Sequence, residues 1–207
     1  MYDEEFYAVS RPGMIASAQA LVPLLLTQCQ WPRTVIDVGC GEGWWAAEFA
    51  NHDCDVIGLD GGWHGQHQLG DRFIPHDLKL PIPQHLHGRF DAVVCLEVAE
   101  HLPAVRSRSF VQDLCKLTAP GGFIIFSAAI PGQGGTGHLN EQWPDYWARL
   151  FDEQGYAVNG DFRFGIWEDD RIENWYRQNL LIAYEGVNIK MPIPVVHPVL
   201  YDARRSR

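Results

Sequence analysis

The sequence predicts an α/β fold: a doubly wound, mostly parallel β-sheet with helices on both faces. Three observations carry that prediction. Short apolar runs bounded by turn residues alternate with longer amphipathic segments along the 207 residues, and strands joined through helices pair in parallel. One run, Phe90 to Leu96, is almost continuously apolar, as a strand buried on both faces must be. The residues with chemistry to offer fall just after the apolar runs, where open α/β sheets bind ligands.

Each element has its own signal. Met14 to Cys29 carries Ile15, Leu21, Leu25 and Leu26 at helical spacing and ends at Trp31-Pro32. Thr34 to Val38 is a short apolar strand, followed by a glycine-rich turn. Gly43 to Asn51 is a helix with a tryptophan-rich apolar face. Cys54 to Leu59 is the second strand, ending in Asp60, and Arg72 to Pro75 is a short third. Phe90 to Leu96 is the fourth. Val105 to Thr118 is an amphipathic helix stopped by Pro120-Gly121-Gly122, and Phe123 to Ala129 is the fifth strand. Gln142 to Gln154 is a helix closed by Gly155. Two strands follow near Tyr156 to Phe164 and Asn179 to Tyr184. The expected organisation is one domain over residues 1–207, with a helical segment or lid over residues 1–30. Residues 188–207 read as an irregular tail, broken by Pro192, Pro194 and Pro198.

Composition narrows the function. Hydrophobic residues are 46% and charged residues 20% of the chain, an ordinary globular balance. A formal net charge of -10 gives no general attraction to a phosphate backbone, so nucleic acid is a disfavoured partner. The basic run Arg204-Arg205-Ser206-Arg207 reads as a solvated tail. The apolar stretch Ala20 to Leu26 is short and interrupted by Pro23, so no membrane span is expected. The acidic start, Asp3-Glu4-Glu5, is unlike the basic start of a signal peptide. Five cysteines, an odd number with no C-x-x-C pair, fit a reducing, cytoplasmic compartment without a disulfide framework or zinc site.

The turn Asp37-Val38-Gly39-Cys40-Gly41-Glu42-Gly43 joins a strand to a helix. Glycine lets a ligand approach the backbone closely, which alone suits any nucleotide fold. The spacing is G-x-G-x-G, not the G-x-G-x-x-G of dinucleotide sites. Asp37 and Glu42 flank it. Two carboxylates repel a pyrophosphate and attract a cation, such as the ammonium and sulfonium of S-adenosylmethionine (SAM). Asp60 stands where a carboxylate accepts from both ribose hydroxyls. Asp77 stands where one accepts from an adenine amine while Leu78 packs on the ring.

Taken in order, these segments resemble the class I SAM-dependent methyltransferase family. The resemblance runs over Val35 to Gly43, Val56 to Gly61, Phe73 to Leu78, Phe90 to Leu102 and the Pro120-Gly121-Gly122 turn. It implies a Rossmann-like seven-stranded sheet of order 3-2-1-4-5-7-6 with the last strand antiparallel, and SAM as cofactor with S-adenosylhomocysteine as product. It implies that Asp37, Gly39 and Gly41 hold the methionine part, and Asp60 with Gly61 beside it the ribose. Asp77 and Leu78 would hold the adenine, while Leu96 and Glu97 would line the methionyl end.

The acceptor side is open to several readings. Methyl transfer is an in-line displacement, so the protein aligns the acceptor and in some cases removes its proton. The loop Ile130 to Pro144 is glycine-rich yet carries His138, Asn140, Glu141 and Gln142, which suggests a mobile cover over the acceptor. His138 is the preferred general base, or else a loop histidine bonded to backbone. Glu141 is either a helix-start residue or an acceptor ligand. His101 either faces the site or is structural. His64 with His67, and His85 with His87, read as surface-loop residues, since no further ligands accompany them. No metal site is indicated, though a magnesium or manganese ion on His138, Glu141 or Glu97 stays open. Trp44, Trp45 and Trp63 either flank the cofactor or pack. Trp143, Tyr146, Trp147, Trp167, Trp175 and Tyr176 form an aromatic acceptor wall or a core. Tyr2, Phe6, Tyr7 and Arg11 either close over the cofactor or fray. The expected function is O-methylation of a small-molecule or carbohydrate acceptor. The alternatives are methylation of a protein or nucleic acid, or SAM binding without catalysis.

Overall fold

The computed structural model describes residues 4–61, 67–187 and 191–205. The strands are β1 (Thr34–Val38), β2 (Asp55–Asp60), β3 (Phe73–Pro75), β4 (Phe90–Leu96), β5 (Thr118–Ser127), β6 (Tyr156–Asn159) and β7 (Leu181–Glu185). They form one seven-stranded sheet in the order β3-β2-β1-β4-β5-β7-β6. Pairing is parallel from β3 across to β5, and β7 runs antiparallel to both β5 and β6. Fold class, strand order and the reversed last strand are those expected.

The helices are α1 (Glu4–Gln28), α2 (Trp44–Asn51), α3 (Ser107–Leu117), α4 (Pro144–Asp152), α5 (Phe162–Gly165), α6 (Asn174–Asn179) and α7 (Pro198–Arg205). Successive strand residues point to opposite faces, so the sheet feeds two cores. Ile36, Val93, Cys95, Ile124 and Phe126 pack with Phe110 and Leu114 of α3 and with Trp147 and Phe151 of α4. Val35, Val56, Ala92, Val94 and Ile125 pack with Leu21 and Leu25 of α1 and with Trp45 and Phe49 of α2. That double duty is why β4 reads as one apolar run. Each such large side chain contributes roughly 1.5–3 kcal/mol by leaving water.

Several boundaries differ from the sequence reading, each for a physical reason. α1 begins at Glu4, not Met14, and runs through Pro12 and Pro23. Each proline removes one helical hydrogen bond, and the packing of Ala18, Leu21, Val22, Leu25 and Leu26 carries the helix past them. Over Ala8–Gln28, α1 is long and apolar enough to cross a membrane by length and composition. The run Ala20 to Leu26 is therefore one part of a longer apolar helix. In this fold α1 buries that apolar face against α2 and the sheet. β5 begins at Thr118, so Pro120-Gly121-Gly122 lies inside a strand as a bulge. Phe90 pairs with Thr118 and Ala92 with Phe123.

Phe162 to Phe164 turn into α5 instead of extending β6, and Asn179 closes α6 before β7 begins. Arg163 organises that change. Its fully buried guanidinium donates to the carbonyls of Gly160 (2.8 Å), Gln178 (2.9 Å) and Ile193 (2.5 Å), because a buried cation needs every donor met. The tail is more ordered than expected. Pro198 opens α7, where a missing N–H costs nothing. The buried His197 before it donates its backbone N–H to Gln178 Oε1 at 2.7 Å. Of the basic C-terminal run, Ser206 and Arg207 lie outside the described residues.

Candidate active site

The site is built at the carboxyl ends of β1 to β5. The glycine turn leaves β1 with Gly39 at φ 81°. A side chain there would strike Val98, whose Cγ2 lies 2.3 Å from the position of a Cβ. Asp60, at the end of β2, braces the turn. Its Oδ2 accepts from the Gly41 N–H at 2.7 Å and its Oδ1 from the Gly61 N–H at 2.6 Å. Burial raises the Asp60 carboxyl, and those two N–H groups oppose the rise. Asp37 is 3% exposed and its Oδ2 has no hydrogen-bond partner among the described residues. Burial, and then the charge of Asp60, push its carboxyl up to about 7. Glu42 faces elsewhere. It accepts from Arg11 Nε (2.9 Å) and Nη2 (2.5 Å) on α1 and from Trp44 Nε1 (2.9 Å). The Arg11 hydrogen bond holds its carboxyl below the usual range.

Glu97 ends β4 with φ 56°, a left-handed conformation that glutamate adopts only under constraint. The constraint is visible. Its N–H donates to the Ser127 carbonyl at 3.0 Å. Its carboxylate accepts from Asn179 Nδ2 (3.0 Å) and Gln133 Nε2 (2.9 Å). Gln133 Oε1 accepts in turn from Asn179 Nδ2 (2.9 Å) and Gln178 Nε2 (3.1 Å).

The loop after β5, expected to cover the acceptor, is bonded to the rest of the site at both ends. Glu141 accepts from the N–H groups of Gly132 (2.5 Å) and Gly134 (3.1 Å), and pairs with His138 Nδ1 at 2.9 Å. Burial raises the Glu141 carboxyl, but His138 and the two N–H groups outweigh it and hold it low. The carbonyl of Glu100 accepts from Leu139 (2.8 Å) and Asn140 (3.0 Å). His101 Nδ1 lies 3.3 Å from the Gly137 carbonyl. The His101 and His138 rings meet edge to face, 4.8 Å between centroids. Glu100 has no exposure, and neither carboxylate oxygen reaches a hydrogen-bond partner among the described residues. Burial, and then the charge of Glu97, raise its carboxyl well above normal.

These pieces line one cavity of about 530 Å³. It is walled by Gly39, Gly41, Asp60, Gly61, Asp77, Leu78, Leu96 and Glu97 of the expected cofactor set, and by His101 and His138 of the expected catalytic set. Asp37 sits behind the turn, off that wall. Glu141 is also off it and acts on the cavity through His138. Trp175 and Tyr176 line the cavity, whereas Trp147 is core against Phe126 and Trp167 packs on His197. Trp45 both packs and lines, edge-on to Tyr176 at 5.0 Å. His67 stacks on Phe73 and its Nδ1 accepts from the Leu69 N–H at 3.2 Å, a structural role. His85 is exposed and His87 half-buried beside a short turn. Trp63, His64 and Tyr2, and the side chains of Phe6 and Tyr7, lie outside the described residues. The sequence reading missed Glu100, Gln133, Gln178 and Asn179. The available signal was the polar pair Gln178-Asn179 set against the apolar start of β7.

A seven-stranded sheet of this order, with an acidic, glycine-turned cavity at the strand ends, defines a class I SAM-dependent methyltransferase. The chain belongs to the methyltransferase domain family, whose profile matches residues 11–163. It is similar to a ubiquinone biosynthesis O-methyltransferase of Pectobacterium carotovorum subsp. carotovorum (strain PC1), 35% identical over 103 residues, 46% of this chain and 42% of that protein. The match therefore spans less than half the length of that relative. Among solved structures, the 1,6-didemethyltoxoflavin-N1-methyltransferase of Burkholderia thailandensis, with its substrate and S-adenosylhomocysteine bound, superposes with TM-score 0.62. The two share 15% identity over 86% of this chain and 81% of that one. A SAM-dependent methyltransferase from Archaeoglobus fulgidus gives TM-score 0.57 and 15% identity, over 88% of this chain and 100% of that one. The two structures speak for the fold alone.

Proposed function

We propose that this protein transfers the methyl group of SAM to a hydroxyl of a small molecule, either a metabolite or a sugar. One observation carries the reading. A single cavity runs from the acidic turn at the ends of β1 to β3 to a histidine pair at the ends of β4 and β5. Its volume is in the range of small-molecule sites.

The residues fit the cofactor. Each Asp60 oxygen already accepts one backbone N–H and keeps a lone pair for one ribose hydroxyl. Asp77 and Leu78 stand next along the wall for the adenine. Asp37, with an oxygen that no donor among the described residues reaches, adds negative potential behind the turn where the ammonium would rest. SAM brings a methyl group already activated on a sulfonium. The chain supplies alignment and dryness. Met14, Trp45, Leu96, Val98 and Leu102 keep water from the reacting line, and Ser10 with Met14 closes it from α1.

At the other end, Glu141 holds the His138 ring so that the imidazole faces the cavity beside His101. A hydroxyl must shed a proton around the time it attacks, and this cluster is where that proton is loosened. The relative from Pectobacterium is named for O-methylation, which supports an oxygen acceptor. The test is transfer from methyl-tritiated SAM to panels of catechols, phenols and sugars against amines and thiols. Label recovered as a methyl ether is expected. Label recovered only on nitrogen or sulfur would remove the oxygen assignment.

A further inference from the structure

Resting on the reading that Glu97 faces the methionyl end of bound SAM, we propose that Gln178, fixed by the backbone N–H of His197, is the positioning residue that sets the Glu97 carboxylate for the cofactor's cationic groups. The observation is the direction of a chain of amides. His197 donates its N–H to Gln178 Oε1 at 2.7 Å. Gln178 Nε2 then spends one hydrogen on Gln133 Oε1 (3.1 Å) and the other on Asn179 Oδ1 (2.9 Å). Both of those amides are thereby turned nitrogen-first toward Glu97. Gln133 Nε2 donates to its Oε2 at 2.9 Å and Asn179 Nδ2 to its Oε1 at 3.0 Å.

A side-chain amide can be reversed, oxygen for nitrogen, with little change of shape, so its neighbours decide its sense. A backbone N–H cannot be reversed. With that N–H at residue 197, Gln178 must show its oxygen there and its nitrogen to the other two amides. A reversed Gln178 would set donor against donor at residue 197 and oxygen against oxygen at Gln133 and Asn179. Those two would turn in response and bring an oxygen against the carboxylate. The Ile130 N–H, 3.3 Å from Gln133 Oε1, is a second fixed donor acting in the same sense. Gln178 has no exposure, Asn179 is 2% exposed and His197 5%, so water does not replace a missing partner and each bond counts fully. Arg163 brings the N–H into place, since it donates to the carbonyls of both Gln178 and Ile193. It ties the end of α6 to the segment that carries residue 197.

A donor on each oxygen favours the ionised carboxyl. Burial raises the Glu97 carboxyl, while Asn179, Ser127, Gln133 and then the charge of His138 oppose the rise. Other titratable groups that face Glu97 among the described residues are Cys95 on β4, Glu100 in the turn after it and Tyr176 on α6. Glu97 lines the cavity, so a charge kept there attracts the ammonium and sulfonium of SAM. The C-terminal segment thus serves the cofactor site from behind, through Gln178.

The test is calorimetry with SAM, without acceptor, from about pH 6 to about pH 9, on wild type, Glu97→Gln, Gln178→Met and the double variant. Methionine is close to glutamine in size and has no donors. Gln178→Met should bind SAM about 10-fold more weakly near neutrality. The loss relative to wild type should deepen on acidification and fade as pH rises, because Glu97 protonates more readily once its donors are no longer held on it. In the Glu97→Gln background Gln178→Met should cost nothing more. An equal loss in both backgrounds, or at every pH, is that of a merely structural residue and overturns the proposal. Unchanged SAM affinity in Glu97→Gln overturns it together with the placing of Glu97 at the cofactor. If Gln178→Met loses its cooperative thermal melt, His197→Pro, which removes the N–H itself, decides. The same pH-dependent loss supports the proposal, and an affinity unchanged or lowered equally at every pH overturns it. No methyl is transferred in these measurements, so the hydroxyl-methylation reading stands or falls separately.

Discussion

Replacing Asp37 with asparagine should stabilise the ligand-free protein above neutrality while weakening its hold on SAM. Burial and the neighbouring Asp60 raise the Asp37 carboxyl from 3.8 to about 7, against an opposing hydrogen bond from the Ala46 backbone. The folded chain thus keeps this proton to higher pH than the unfolded chain. Its stability falls as pH rises between those two values. A gap of roughly three units amounts to about 4 kcal/mol at full titration, of which about 2.5 kcal/mol is lost between about pH 5 and pH 8. Asparagine keeps the shape without the charge and escapes the loss. Urea unfolding of both proteins at the two pH values is the assay. The variant should gain about 2.5 kcal/mol on the wild type between them. An identical difference at both pH values would refute the displaced titration. A cation docked at the turn favours the carboxylate, so SAM uptake near neutrality should release a proton. Calorimetry in buffers of different ionisation enthalpy reads that release.

Other substitutions probe other parts of the site. Asp60→Ala should weaken SAM binding about 10–100-fold, since a hydrogen bond to a charged group contributes about 1.5–3 kcal/mol. Unchanged affinity by calorimetry would sink the ribose assignment. Arg11→Ala removes both hydrogen bonds to Glu42 and should cost about 1–2 kcal/mol of stability. The loss should shrink in high salt because the Arg11 side chain is 36% exposed, and a thermal melt insensitive to the substitution would show that α1 is not held there. Gly135→Ala should cut turnover with SAM affinity intact. Gly135 has φ 147°, and an added Cβ would lie 2.3 Å from His138 Nε2. An equal loss of SAM would mean that the loop shapes the cofactor end.

How far the sequence could be read depended on how local each signal was. β4 and the glycine turn were legible because burial on both faces and tight backbone geometry write themselves into adjacent residues. The end of β6 was not, because Phe162 to Phe164 are turned by Arg163 reaching carbonyls up to 30 residues away. The expected start of α1 at Met14 falls just after Pro12, which argues locally against the helix that tertiary packing sustains back to Glu4. In the site, Asp60, Asp77 and Leu78 could be placed from strand ends alone. Glu42 was read as facing a cationic ligand, yet its charge is met by Arg11, 31 positions earlier. Glu100 passed unnoticed because it falls between the strand ending at Leu96 and the helix expected from Val105, where an acidic residue reads as solvated. Its burial is a property of the assembled sheet and loop. Gln133 and Asn179, 46 positions apart, gave no local sign that both would hold Glu97.

The most direct test of this account is calorimetry of the full chain with SAM, S-adenosylhomocysteine and NAD in parallel. A phosphate-free cofactor cradle lined by Asp60 and Asp77, with Asp37 behind its turn, predicts saturable binding of the first two at one per chain and none of NAD. Binding of NAD, or failure to bind SAM, would contradict it.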